Sequence, residues 1–210
     1  MSVIDRLFLN SVSESIKREI DREAMSAIEK KMGIDLGLKI EDLVSKFDEI
    51  KKSLFEYRHV LDDIEDGILR NFLTAEIQGP QTWLLIKNRH LTETILKTFA
   101  DEEKKMILDT MRDKAVTTPN ILTACKIPNT SAYRKVNQLI DQGFIVPVGL
   151  AESFEGKRAI LYKSVIDRIQ VNIDRNSIVA KMLIPQEMFR ASSLVQTMLE
   201  MSQGSRVLSN

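Results

Sequence analysis

The chain has 210 residues, of which 43% are apolar and 29% charged, enough to build one large domain or two small ones around a core. Its 30 basic and 30 acidic residues cancel, so net charge gives no sign of a polyanionic partner. A single cysteine, Cys125, excludes an intrachain disulfide framework and fits a reducing, intracellular setting, and apolar runs such as 143–151 are far too short for a membrane span.

The charges are unevenly spread. Residues 1–78 carry 12 Lys/Arg against 17 Asp/Glu, and residues 79–184 carry 16 against 11. Such asymmetry suggests two units with different partners. The opening MSVIDRLFLN has charges at Asp5 and Arg6 and no apolar segment, so no signal peptide is expected. Residues 2–31 predict one long helix, with Ile4, Leu7, Phe8, Val12, Ile16, Ile20, Ala24, Ala27 and Ile28 on a stripe at helical spacing. Gly33 and Gly37 break it. Leu43, Phe47, Ile50, Leu54 and Phe55 predict a second amphipathic helix. Val60, Leu61, Ile64, Ile68, Leu69, Phe72 and Leu73 predict a third. A small helical bundle is the economical arrangement. The acids Asp62, Asp63, Glu65 and Asp66 read as a solvated helix face, because no base, nucleophile or Gly-rich loop accompanies them.

Gly79-Pro80 ends the helical pattern. The apolar run from Trp83 to Ile86 fits either type of element. Trp83 is expected at a domain junction, as a plug or as the wall of a small ligand pocket. A helix is predicted over 92–99. From Asp101, DEEKKMILDTMRDK predicts a helix whose N-terminal acids suit the macrodipole. Thr118-Pro119 predicts a helix start, with the Thr118 hydroxyl as N-cap and proline in the first turn, and ILTAC completes that helix. After a tight connection at 126–128, a helix is predicted from Asn129 to Gln142, stopped by Gly143. FIVPVGL and RAILY predict two strands joined through the polar ESFEGK. Alternation over 168–173 predicts a half-buried strand that returns through IVAKMLI. Pro185 opens a last amphipathic helix with Met188, Phe189, Leu194, Val195, Met198 and Leu199, and a disordered tail is expected from Gln203.

The predicted fold class is mainly α with a small β component. An N-terminal helical bundle is followed by a winged helix-turn-helix domain with an extra β-hairpin and a C-terminal helix. The expected domains are a helical sensor, oligomerisation or partner-docking unit at 1–78, a linker and connecting helix at 79–100, the winged helix-turn-helix at 101–184, and the C-terminal helix and tail at 185–210.

Helix 129–142 can be read by its own geometry. At 100° per residue, Ala132, Val136, Leu139 and Ile140 share one face. The other side carries Thr130, Ser131, Arg134, Gln138 and Asp141, flanked by Lys135 and Asn137. Such a face suits a helix entering a major groove with its N-terminal residues toward base edges. Asn129, Thr130 and Ser131 can also offer hydroxyls and free backbone N–H groups to phosphate. Gly156-Lys157-Arg158, at the tip of a wing expected at about 149–158, can reach the adjacent minor groove or backbone. The candidate DNA-binding residues are Asn129, Thr130, Ser131, Tyr133, Arg134, Lys135, Gln138, Lys157 and Arg158.

The stretch IPNTSAYRKVNQLIDQGFI, with the upstream FADEEKKMIL, resembles the recognition-helix region of archaeal winged-helix regulators related to the ArsR-like superfamily, over roughly residues 95–184. The resemblance implies a cytoplasmic transcriptional regulator that binds double-stranded DNA sequence-specifically. It implies that the helix matching 129–142 reads DNA through Ser131, Arg134, Lys135 and Gln138. Residues 5–78 are similar, through KMGIDLGLKIEDLVSKFDEI and DDIEDGILRNFL, to a small helical output-type domain of ammonia-oxidising archaea. Many ArsR-like regulators sense metals through Cys and His clusters. This chain has one Cys, and His59 and His90 lie far apart, so no metal or other cofactor is expected. Winged-helix regulators commonly bind as dimers at spaced half-sites. A homodimer is therefore expected, through the long N-terminal helix, the C-terminal helix or both. Residues 1–78 are the expected place for a protein partner or small ligand, and no membrane partner is expected. The alternative is a protein-interaction adaptor whose winged helix no longer binds DNA. No catalytic grouping is present in the sequence, so no enzyme activity is expected. Cys125 reads as a small buried apolar residue.

Overall fold

The computed structural model describes residues 4–33, 42–44, 46–78, 81–112, 114–152, 158–175 and 177–204. Of these, about 61% are helical and 24% lie in strands, so the chain is mainly α with a smaller β part.

The N-terminal stripe forms two helices where one was predicted: α1 (Asp5–Glu19) and α2 (Arg22–Lys31). Ile20 is extended, and the Asp21 carboxylate accepts the Glu23 N–H at 2.7 Å. An N-cap of this kind satisfies a free donor and so starts a second helix inside the apolar repeat. Next come α3 (Phe47–Ser53), a 3-10 turn at Phe55–Tyr57, and α4 (Arg58–Asp63), which runs into a π-helical segment, Ile64–Leu69. The Arg70 N–H reaches the Glu65 carbonyl at 2.9 Å, the five-residue spacing of a π turn.

The third predicted helix stops there. Leu73 begins strand β1 (Leu73–Gln78), which pairs antiparallel with β2 (Gln81–Ile86). The N–H groups of Lys87 and Asn88 both donate to the Phe72 carbonyl at 3.0 Å and close the base of this hairpin; the Gly79-Pro80 tip lies outside the described residues. Thr82, Trp83, Leu84 and Ile86 are all buried. The run around Trp83 therefore lacks alternation because both faces of β2 are covered.

After β2, α5 (Arg89–Ala100) starts at Asn88, whose Oδ1 accepts the Leu91 N–H at 2.9 Å. Then follow α6 (Glu102–Thr110), β3 (Val116–Thr117), α7 (Thr118–Cys125), α8 (Asn129–Gln142), β4 (Ile145–Glu152) and β5 (Arg158–Ser164). Strands β3, β5 and β4 form a small antiparallel sheet in that order, with a bulge between Pro147 and Gly149. The N-cap of α7 is Thr117 rather than Thr118, and no side chain caps it. The pre-set φ of Pro119 in the first turn supports the start instead.

Strands β6 (Arg168–Asp174) and β7 (Ser177–Ile184) make a second hairpin. β7 pairs with β2, with Trp83 opposite Leu183, and gives a four-stranded antiparallel sheet ordered β1-β2-β7-β6. The boundary expected at residue 78 thus falls at the tip of one hairpin, and a hairpin from 168–184 joins it in the same sheet.

The last helix is also broken, into α9 (Gln186–Ala191) and α10 (Ser193–Gly204). At the break, Ser192 donates its hydroxyl to Asp5 Oδ1 at 2.5 Å and accepts the Val195 N–H at 3.1 Å. α10 continues to Gly204, past the start expected for a tail. Leu7, Phe8, Val12 and Ile16 of α1 and Leu194, Val195 and Met198 of α10 are buried in the same core. The Phe8 and Phe72 rings meet edge to face at 6.1 Å. The two apolar stripes expected to pair copies of the chain are therefore used inside it. Among the described residues no helix is long and apolar enough to cross a membrane.

Candidate nucleic-acid interface

Helix α8 turns Ala132, Val136 and Leu139 into the core, with Ile140 half-buried beside them. Its end is set by Gly143, at φ 82°. The Gly143 N–H donates to the Ile140 carbonyl at 3.1 Å, and the Phe144 N–H to the Leu139 carbonyl at 2.9 Å. Glycine takes this left-handed conformation without strain. Phe144 and Ile145 then lead buried into β4. Helix α1 lies on this end: Asn10 Nδ2 donates to the Asp141 carbonyl at 2.7 Å, and Arg6 stands 3.8 Å from the Asp141 carboxylate. The C-terminal end of α8 is covered and its N-terminal end is open.

At the open end, Asn129, Thr130, Tyr133 and Arg134 are exposed, and Asn137 follows them. The N-cap, Pro128, makes no side-chain cap, so the first-turn N–H groups of this 14-residue helix face outward without one. Arg134 makes no ion pair among the described residues. Lys126, absent from the expected set, is an exposed cation in the left-handed turn that leads into α8. Its position in a tight connection gave no sequence signal for contact.

Ser131, Lys135 and Gln138 are half-buried. The Ser131 hydroxyl donates to Glu103 Oε2 at 2.8 Å. The Lys135 ammonium is paired with Asp101 and stands 3.6 Å from Glu103, with its side chain only 12% exposed. Two of the expected contacts therefore fasten α8 to the N-terminus of α6. Burial would raise the Asp101 carboxyl, but hydrogen bonds from Lys135 and from the Lys104 N–H outweigh it and hold that carboxyl below its ordinary range. Beside them the Lys104 side chain is buried, which pushes its ammonium below the usual lysine range; it donates to Gln142 Oε1 at 3.3 Å.

Arg158 is exposed and stands opposite Glu152 in the β4–β5 register; Lys157 lies outside the described residues. Leu150 and Ile160 face each other across this hairpin and are 61% and 46% exposed. In the sequence both are strand formers flanked by small or apolar residues, Gly149 and Ala151 on one strand and Ala159 and Leu161 on the other, so no alternation marks their face as exposed.

The chain matches no family model, no curated protein and no solved structure.

Other candidates resolve by position. Cys125 is 4% exposed, and burial pushes its thiol above the usual range. His59 is exposed; His90 is half-buried, and burial lowers its pKa. Among the described residues no three His, Cys, Asp or Glu side chains gather as a metal set. The acidic run at 62–66 is not wholly solvated: Glu65 is buried and accepts from Lys51 at 2.5 Å and from Arg70 at 2.5 and 3.1 Å. Trp83 is buried within β2. The N-terminal helices offer a cleft of about 480 Å³ where α1 meets α2, lined by charged residues including Glu14, Lys17 and Arg22.

Proposed function

We propose that residues 102–164 form a winged helix-turn-helix and that the chain is a cytoplasmic, sequence-specific regulator of transcription that binds double-stranded DNA. The observation that carries this reading is the open N-terminal end of α8. It offers uncapped N–H groups, the polar side chains of Asn129, Thr130 and Tyr133, and an Arg134 without an ion pair among the described residues, on a helix held from behind. Such an end suits phosphate contact and base-edge reading in a major groove. The β4–β5 hairpin that follows α8 in the chain, with exposed Arg158 on it, supports this reading as the proposed wing for backbone contact.

Arg134, with Gln138 and Asn137 beside it, is the proposed reader. Thr130 and the first-turn N–H groups are the proposed phosphate contacts, and Lys126 joins them. Lys135 and Ser131 support this face from behind rather than touch DNA. A homodimer remains part of the proposal. Its surface would lie outside the stripes of α1 and α10, for instance at Ile173 and Ile178, which pair at the outer end of β6–β7 and are 70% and 47% exposed.

A second reading, an adaptor that binds protein, is favoured by one observation. The exposed Leu150–Ile160 pair places apolar surface where a DNA-binding wing would gain more from cations. Retention of genomic fragments by the purified chain, followed by sequencing, separates the two. Enrichment of a short shared sequence supports the regulator. Retention without any shared sequence removes the sequence-specific claim, and no retention moves the function to the hairpin and its protein partners.

A further inference from the structure

We propose that the cleft between α6 and β6 binds a small amphipathic monoanion, an apolar body bearing one carboxylate or sulfonate. The cleft encloses about 460 Å³, within the range of small-molecule sites. Its apolar lining comes from both sides. Phe99 and Leu108 contribute from the helices, and Ile169 and Val171 from the strand. These four surfaces suit a short aliphatic chain or one aromatic ring system.

The polar groups select the charge. Asp109 and Arg112 line the cleft but satisfy each other at 2.8 Å. Lys105 and Arg168 line it too, and neither makes an ion pair among the described residues. Against these two cations stands one carboxylate, Asp167, whose pKa burial pushes up despite nearby Lys163. The Asp167 N–H donates to the Leu183 carbonyl at 3.0 Å, which ties this corner to β7. The charged lining sums to a single positive excess, so one negative charge balances it and a second would meet Asp167. A neutral ligand would leave that one positive charge without a counterpart. The site lies on α6, whose other end holds α8 through Asp101 and Glu103. It stands whether or not the chain binds DNA.

Titration of the full chain with the fluorescent monoanion 8-anilinonaphthalene-1-sulfonate tests this. Saturable binding of one dye per chain with blue-shifted emission is expected, displaced by octanoate but not by octanol at the same concentration. Val171→Trp fills the cleft, and Lys105→Glu/Arg168→Glu reverses its charge at exposed positions. Each is expected to weaken the dye by roughly ten-fold or more, with circular dichroism unchanged. Leu150→Ser/Ile160→Ser, which removes the exposed apolar pair on the other hairpin, is expected to leave binding intact. Should Val171→Trp misfold, the charge-reversal variant decides alone. Absence of saturable binding, displacement equally by octanol, dye affinity untouched by charge reversal, or dye lost in the Leu150→Ser/Ile160→Ser variant would each overturn the proposal.

Discussion

Gly143 lies against the backbone of Leu7: a β-carbon at residue 143 would stand 2.6 Å from the Leu7 nitrogen and 2.9 Å from its Cα. Two demands meet at one residue. The backbone is left-handed at φ 82°, and the approach of α1 leaves no room for a side chain. Gly143→Ala should therefore cost more than the 1–2 kcal/mol of the conformation alone, reaching about 3 kcal/mol with the displacement of α1. Urea denaturation measures this. A loss below about 1 kcal/mol would show that α1 does not seat on the end of α8.

Neighbouring cations on α8 should separate into two roles. Arg134 is exposed and makes no ion pair among the described residues, whereas Lys135 is held by Asp101 and Glu103. Arg134→Ala should leave the melting temperature unchanged and weaken DNA binding by about 1–3 kcal/mol. Lys135→Ala should lower stability by about 1–2 kcal/mol, since it strands the partly buried Asp101, while the salt dependence of DNA binding stays as it was. Thermal melts and binding titrations on both variants check the split. The reverse pattern would make Lys135 the reader.

Glu65 should make stability depend on acid. Burial alone would raise its carboxyl, but hydrogen bonds from Lys51 and Arg70 win and hold it below the ordinary glutamate range. A carboxyl depressed in the folded state contributes stability above its unfolded pKa, about 4.3, and that stability fades as pH falls through the lower folded value. Glu65→Gln should thus cost about 1–3 kcal/mol at neutral pH. The gap from the parent chain should narrow as pH drops from about 5 toward 3. Melting curves across that range test it, and a gap independent of pH would exclude a charged role.

The sequence carried the local parts of this structure well and the long-range parts poorly. Gly143 ended α8 because its conformation is a property of one residue. The apolar face of α8 was legible because Ala132, Val136 and Leu139 recur at helical spacing. β1 was not: Leu73 also fits the stripe of the preceding helix, and its strand forms only against β2, which is itself held on its other side by β7, about 100 residues away. The burial of Glu65 was hidden for a similar reason. Within its own segment it is one of four acids, and the lysine that draws it inward sits on α3. Ser131 falls on the polar side of the helical wheel and Lys135 on its flank, but the acids that claim them belong to α6. A wheel shows which side is polar and not what stands opposite it.

The most direct test of the central claim is fluorescence anisotropy on a labelled duplex taken from the most strongly retained fragments. It is titrated between about 50 and 200 mM salt, with the parent chain and with Arg134→Ala/Gln138→Ala. Binding that weakens steadily with salt, with preference for the site lost in the double variant, is the expected result. No binding at the lowest salt, where phosphate contacts are strongest, would contradict DNA binding by the exposed end of α8.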